Sequence, residues 1–116
     1  MARTTPITIY RGEDITLDFT AYTTDTGSTP EDITGWTLVF TVSKARNSAD
    51  KLLTKDCSAV TAASGTFRAI LADTESDNIA PGAYFWDVWR TNDGYERVLG
   101  SGPFNIIGNA RIPPPA

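Results

Sequence analysis

Hydrophobicity in this chain repeats every second residue, and that period constrains the fold more than any other feature of the sequence. Ile15, Leu17, Phe19 and Ala21 alternate with Thr16, Asp18, Thr20 and Tyr22. Trp36, Leu38, Phe40 and Val42 alternate with Thr37, Val39 and Thr41. The same pattern returns at Phe67, Ala69 and Leu71, and again at Tyr84, Trp86 and Val88. Successive side chains of a β-strand point to opposite faces, so this period predicts strands with one buried face. Shorter candidates lie at Ile7–Tyr10, Lys51–Asp56 and Glu96–Ile107, the last bent or bulged at Gly100–Pro103. The expected total is about seven strands.

Turn chemistry separates these stretches. Arg11-Gly12-Glu13-Asp14 is a short polar reversal, Thr23–Glu31 a loop, and Ser43–Asp50 a polar connection. Asn92-Asp93-Gly94 between two apolar runs predicts a hairpin, because Asp-Gly accepts the positive φ of a tight turn. Only Asp73–Ile79 reads as helical, for one or two turns, with Thr74 and Asp77 as its start box and Pro81-Gly82 as its stop. Short strands at regular spacing with frequent turns point to an all-β fold, an immunoglobulin-like antiparallel β-sandwich with one short helical turn. Trp36, near the start of the central strand, is the expected buried indole, and Pro81-Gly82-Ala83-Tyr84 reads as a tyrosine corner. The expected organisation is an amino-terminal arm over 1–6, the sandwich over 7–107 and a proline-rich tail over 108–116.

Composition removes several classes of function. With no histidine, Ser-His and Cys-His catalytic pairs are impossible, and the lone Cys57 forms no intrachain disulfide. Beside Asp56, Cys57 is expected to be a small buried hydrophobe rather than a nucleophile. The formal net charge of -4, without a basic run, argues against nucleic-acid binding. No apolar stretch approaches the roughly 20 residues that span a bilayer, so no membrane partner is expected. Met1–Pro6 lacks the apolar core of a secretory signal, which implies synthesis in the cytosol.

Asp73, Glu75 and Asp77 alternate as calcium ligands do, but Asn78 and Tyr84 stand where an EF-hand loop needs Gly and Glu. No metal, cofactor or catalytic residue is therefore assigned, and carboxylate pairs such as Glu31 with Asp32 or Asp14 with Asp18 read as solvated turn residues. The aromatic run Tyr84-Phe85-Trp86-Asp87-Val88-Trp89 is different. If Tyr84, Trp86 and Val88 face the core, Phe85 and Trp89 face outward. Three readings of that pair stay open: a partner contact, cover by the Ser43–Asp50 loop or the termini, or a sugar-stacking platform. Ile112, Pro113, Pro114 and Pro115, an extended polyproline-type segment, join Phe85 and Trp89 as candidate partner-binding residues.

Four stretches, in order, resemble small tailed-phage structural proteins related to the immunoglobulin-like amino-terminal domain of upper-baseplate proteins. Ile9-Tyr10-Arg11-Gly12-Glu13-Asp14 is similar to that family's Arg-Gly-Asp-like turn, with Glu13 inserted. Asp32-Ile33-Thr34-Gly35-Trp36 is similar to its turn before the central strand. Ala72-Asp73-Thr74 and Ile79-Ala80-Pro81-Gly82-Ala83-Tyr84 match its corner, and Asp87-Val88, Asp93-Gly94 and Leu99-Gly100-Ser101-Gly102 its closing hairpin. The resemblance implies a non-enzymatic virion component, in tail, baseplate or head decoration. Its expected partners are other virion subunits or further copies of itself in a symmetric assembly. The reading from a different class is a carbohydrate-binding module for a host surface glycan.

Overall fold

Two β-sheets face each other across an apolar core in the computed structural model, which describes residues 3–24, 27–45, 51–77 and 79–108. Among the described residues the strands are β1 (Arg3–Thr4), β2 (Ile7–Tyr10), β3 (Ile15–Thr20), β4 (Leu38–Ser43), β5 (Lys51–Asp56), β6 (Ser58–Thr61), β7 (Thr66–Leu71), β8 (Gly82–Arg90) and β9 (Arg97–Ile107). The larger sheet runs β1-β9-β8-β4-β5, with β2 also on β9, and the smaller runs β3-β7-β6. This is the expected immunoglobulin-like sandwich, with more strands than the seven expected. One addition, β6, is exposed along its whole length, so it carries no alternation for the sequence to reveal.

The other addition, β1, belongs to the segment expected as an arm. Arg3 pairs with Gly100 and Thr4 with Ser101, and β2 continues the same course from Ile7↔Phe104 to Tyr10↔Ile107. Both pairings are parallel, so the sandwich is not purely antiparallel. The interruption falls at Thr5-Pro6, near Pro103 on the facing strand, where two prolines lack the N–H a ladder needs. The Thr5 carbonyl lies so close to Gly102 that a Cβ there would overlap it. The expected irregularity in β9 lies one residue earlier than the glycine stretch: Val88 pairs with Gly100 and Trp89 with Val98, which leaves Leu99 as the bulged residue.

Phe40, Val42, Phe67, Leu71, Val88 and Phe104 are fully buried. Phe19 lies against Phe67, Trp86 and Phe40, with ring centroids 5.3, 5.4 and 5.9 Å away. Such aromatic pairs add about 0.5 to 1.5 kcal/mol each beyond burial. The buried indole is Trp86 rather than Trp36, and its Nε1–H donates to the Thr5 carbonyl at 2.8 Å. Trp36 stands before β4 begins, half-buried at the rim of the sandwich, with the Arg90 and Arg97 guanidinium groups 4.0 and 5.2 Å from its ring centroid. Its phase matches that of the core residues Leu38, Phe40 and Val42, but the ladder starts two residues later, at Leu38.

A polar corner closes one end. The Arg11 side chain is buried and donates from Nε and Nη2 to the Asp77 carbonyl, at 2.8 and 2.5 Å. The Gly12 N–H donates to Ser76 Oγ at 2.8 Å, and the Asp73 N–H to Asp14 Oδ1 at 2.8 Å. The helical turn α1 (Asp73–Ser76) is shorter than expected and begins differently. Glu75, rather than Thr74 with Asp77, supplies the reach-back bond, accepting the Ala72 N–H at 2.9 Å. The tyrosine corner is present, with the Tyr84 hydroxyl donating to the Ala80 carbonyl at 2.5 Å.

Candidate interaction surfaces

The ladder between β4 and β8 sets Val39 beside Trp89, Thr41 beside Asp87 and Ser43 beside Phe85. These residues occupy the outer face, because their neighbours Phe40, Val42, Trp86 and Val88 point into the core. Val39, Thr41, Lys51, Thr54, Asp87 and Trp89 line a shallow groove of about 430 Å³ on that face. Trp89 is 40% exposed, whereas Phe85 is half-buried. Burial raises the Asp87 carboxyl pKa above its ordinary value, while a hydrogen bond from Trp89 and the Lys51 charge act in the opposite direction. The groove therefore joins one large apolar face to a carboxylate and an ammonium.

Of the other candidate partner-binding residues, Ile112, Pro113, Pro114 and Pro115 lie outside the described residues, as does most of the loop considered as cover for Phe85 and Trp89. A surface that sequence reading missed forms at the loop end of the sandwich. Arg90 stacks over both Trp36 and Tyr95, at 4.0 and 4.7 Å, and Arg97 pairs with Glu31. The hairpin that presents it spans Thr91–Glu96, wider than a two-residue turn, with Gly94 at φ 81 and the Tyr95 N–H donating to the Asn92 carbonyl at 3.0 Å. Residues so far apart in sequence give no local signal of this stack.

The acidic candidates are committed to local bonds. Glu75 holds Lys55 at 3.0 Å, Asp73 Oδ1 accepts the Thr74 N–H at 2.9 Å, and Asp18 holds Arg68 at 2.7 Å. The Thr34 hydroxyl and then its N–H, both bonded to Asp32 Oδ1, lower the Asp32 pKa. Among the described residues no group of three or more Cys, Asp or Glu side chains is placed to hold a metal ion. The Cys57 thiol is pushed up to about 12, by burial first and the Asp56 charge second, so it stays protonated at neutral pH. No helix among the described residues is long and apolar enough to cross a membrane.

No family model and no curated relative matches this sequence. Among solved structures, the fold is similar to the N-terminal domain of phage TP901-1 ORF48, with 11% identity over 94% of this chain and 99% of that one, at a TM-score of 0.47. It is also similar to the NK cell receptor Nkp44, with 16% identity over 91% of this chain and 100% of that one, at a TM-score of 0.46. Identities and scores this low leave function to be argued from the chain's own residues.

Proposed function

We propose that this domain is a non-enzymatic structural component of a tailed-phage virion, which works by protein–protein contact through the outer face that carries Trp89. The observation that carries this reading is the exposed indole in a groove lined mainly by Thr, Ser, Lys and Asp side chains. Where an indole does anchor a partner contact, it contributes about 2 kcal/mol or more. The ordered resemblance of the four sequence stretches supports the virion setting. Two of those stretches are the ones that meet at the polar corner, so they describe the frame, and the contact surface is free to differ.

A second reading follows from Asp87 beside Trp89. An indole face next to a carboxylate and the Thr41 hydroxyl also suits a sugar ring, which stacks its apolar side and hydrogen-bonds its rim. Trp89→Thr separates the possibilities, since threonine suits an outer strand position. Circular dichroism should show an unchanged fold, and sedimentation should show loss of incorporation into virions or oligomers. Normal incorporation together with lost oligosaccharide binding selects the sugar reading. Normal behaviour in both assays removes this face from the account.

A further inference from the structure

The two long edges of the sandwich differ. On one, the chain passes directly from β5 to β6 through Cys57 and so links the sheets. On the other, β3 is the last strand of its sheet among the described residues, and the amino-terminal strand β2 is paired to β9 instead. The Ala21 N–H donates to the Gly65 carbonyl at 2.8 Å, in register with the β3–β7 ladder. Bonded pairs alternate along an antiparallel ladder, so Leu17 and Phe19 bond to β7 while Thr16, Asp18 and Thr20 turn N–H and C=O groups to the open side. The inward side chains Ile15, Leu17 and Phe19 stay half-buried, although their partners Leu71, Ala69 and Phe67 are buried. Beside them a cleft of about 480 Å³ opens between the sheets, walled by Ile7, Leu17, Phe19, Trp86, Val88 and Leu99.

We infer that this edge receives an extended segment of a partner protein as an added strand, with apolar residues entering the cleft and Lys or Arg residues on the alternate, outward face. The inference concerns a different surface from the Trp89 groove and does not depend on the virion setting. An unpaired backbone edge selects an extended chain, because only a strand satisfies alternate N–H and C=O groups at regular spacing. Residues of that strand opposite Leu17 and Phe19 point inward, and those opposite Thr16, Asp18 and Thr20 point outward. Charge selects a basic outer face. From Ile7 to Thr20 the exposed charges are Glu13, Asp14 and Asp18, of which Asp18 is paired across the ladder with Arg68 at 2.7 Å, so Glu13 and Asp14 leave this end of the edge acidic, while Arg11 is buried. Charge also disfavours a second copy of this chain. The antiparallel register that bonds the outward Thr16, Asp18 and Thr20 of both copies sets Asp18 directly opposite Asp18, each offset only by its own Arg68, and like charges so placed are destabilising.

The probe is a short capped peptide alternating lysine and valine, titrated into the whole chain while amide hydrogen exchange is followed by NMR. In the free protein the Thr16, Asp18 and Thr20 amides should exchange quickly and those of Leu17 and Phe19 slowly. Peptide should protect the first three, and a peptide of the same composition with its valines grouped together should not. Thr16→Pro removes one edge N–H without touching the β7 ladder and should weaken binding about tenfold or more. Asp18→Lys, which leaves the backbone intact, should reverse the preference between this peptide and its glutamate counterpart. Three results overturn the inference: protection of the edge amides before peptide is added, equal binding of the grouped peptide, or an unchanged preference in Asp18→Lys. The first of these assigns the edge to another segment of the same chain or to a second copy.

Discussion

Arg11 and Trp89 occupy environments that their side chains alone would exchange: the guanidinium is buried, 3% exposed, and the indole lies on the surface. A buried charge is tolerated when its donors are matched, and Arg11 meets the Asp77 carbonyl with two of them. That carbonyl lies near the end of a helical turn, where backbone oxygens lack partners within the helix. The corner thus answers its own polar demands. The Trp89 face does the reverse, leaving apolar area in water beside a carboxylate whose burial already raises its pKa. One region is closed by its own bonds, and the other is suited to closure by something else.

Arg11→Met tests the closed region most severely. It keeps most of the volume but removes both bonds to Asp77, and unfolding in urea should show a loss of about 3 kcal/mol. A loss below about 1 kcal/mol breaks the comparison, because the corner then contributes little. Tyr84→Phe deletes only the hydroxyl bond to Ala80 and should cost about 1 kcal/mol, measured the same way. The smallest effect belongs to the open face and has the opposite sign. The folded pKa of Asp87 is raised, so the folded state holds this proton more tightly than the unfolded chain does. Its contribution therefore falls as pH rises from the ordinary carboxylate value through the raised one, and Asp87→Asn should stabilise the domain at neutral pH. Solvent screening limits that gain to about half a kcal/mol, and a loss of stability in Asp87→Asn reverses the sign of the argument.

Much of this arrangement is legible before folding. Alternation identifies the inward sets Leu38, Phe40, Val42 and Phe67, Ala69, Leu71, because both strands lie inside their sheets with one face on the core. It also sets Trp89 outward from the phase of Trp86 and Val88. The tyrosine corner is equally plain, since its bond spans only four residues. Legibility fails where geometry depends on distant chain segments. Nothing near Arg11 in sequence announces that it meets Asp77, 66 residues away. Trp36 carries the right period and still misses the core, because period gives phase without saying where the ladder starts. The open edge of β3 is invisible for the same reason: Leu17 and Phe19 have the pattern of any buried strand, and only the parallel course of β2 leaves them half-covered.

The most direct test of the contrast is equilibrium unfolding of Arg11→Met and Trp89→Thr beside the parent chain, with denaturant slopes compared to confirm that the same unfolding is observed. The expected loss is about 3 kcal/mol for the buried charge and under about 1 kcal/mol for the exposed indole. If Trp89→Thr costs as much as Arg11→Met, the indole is part of what holds the domain together, and its face is not waiting for a partner.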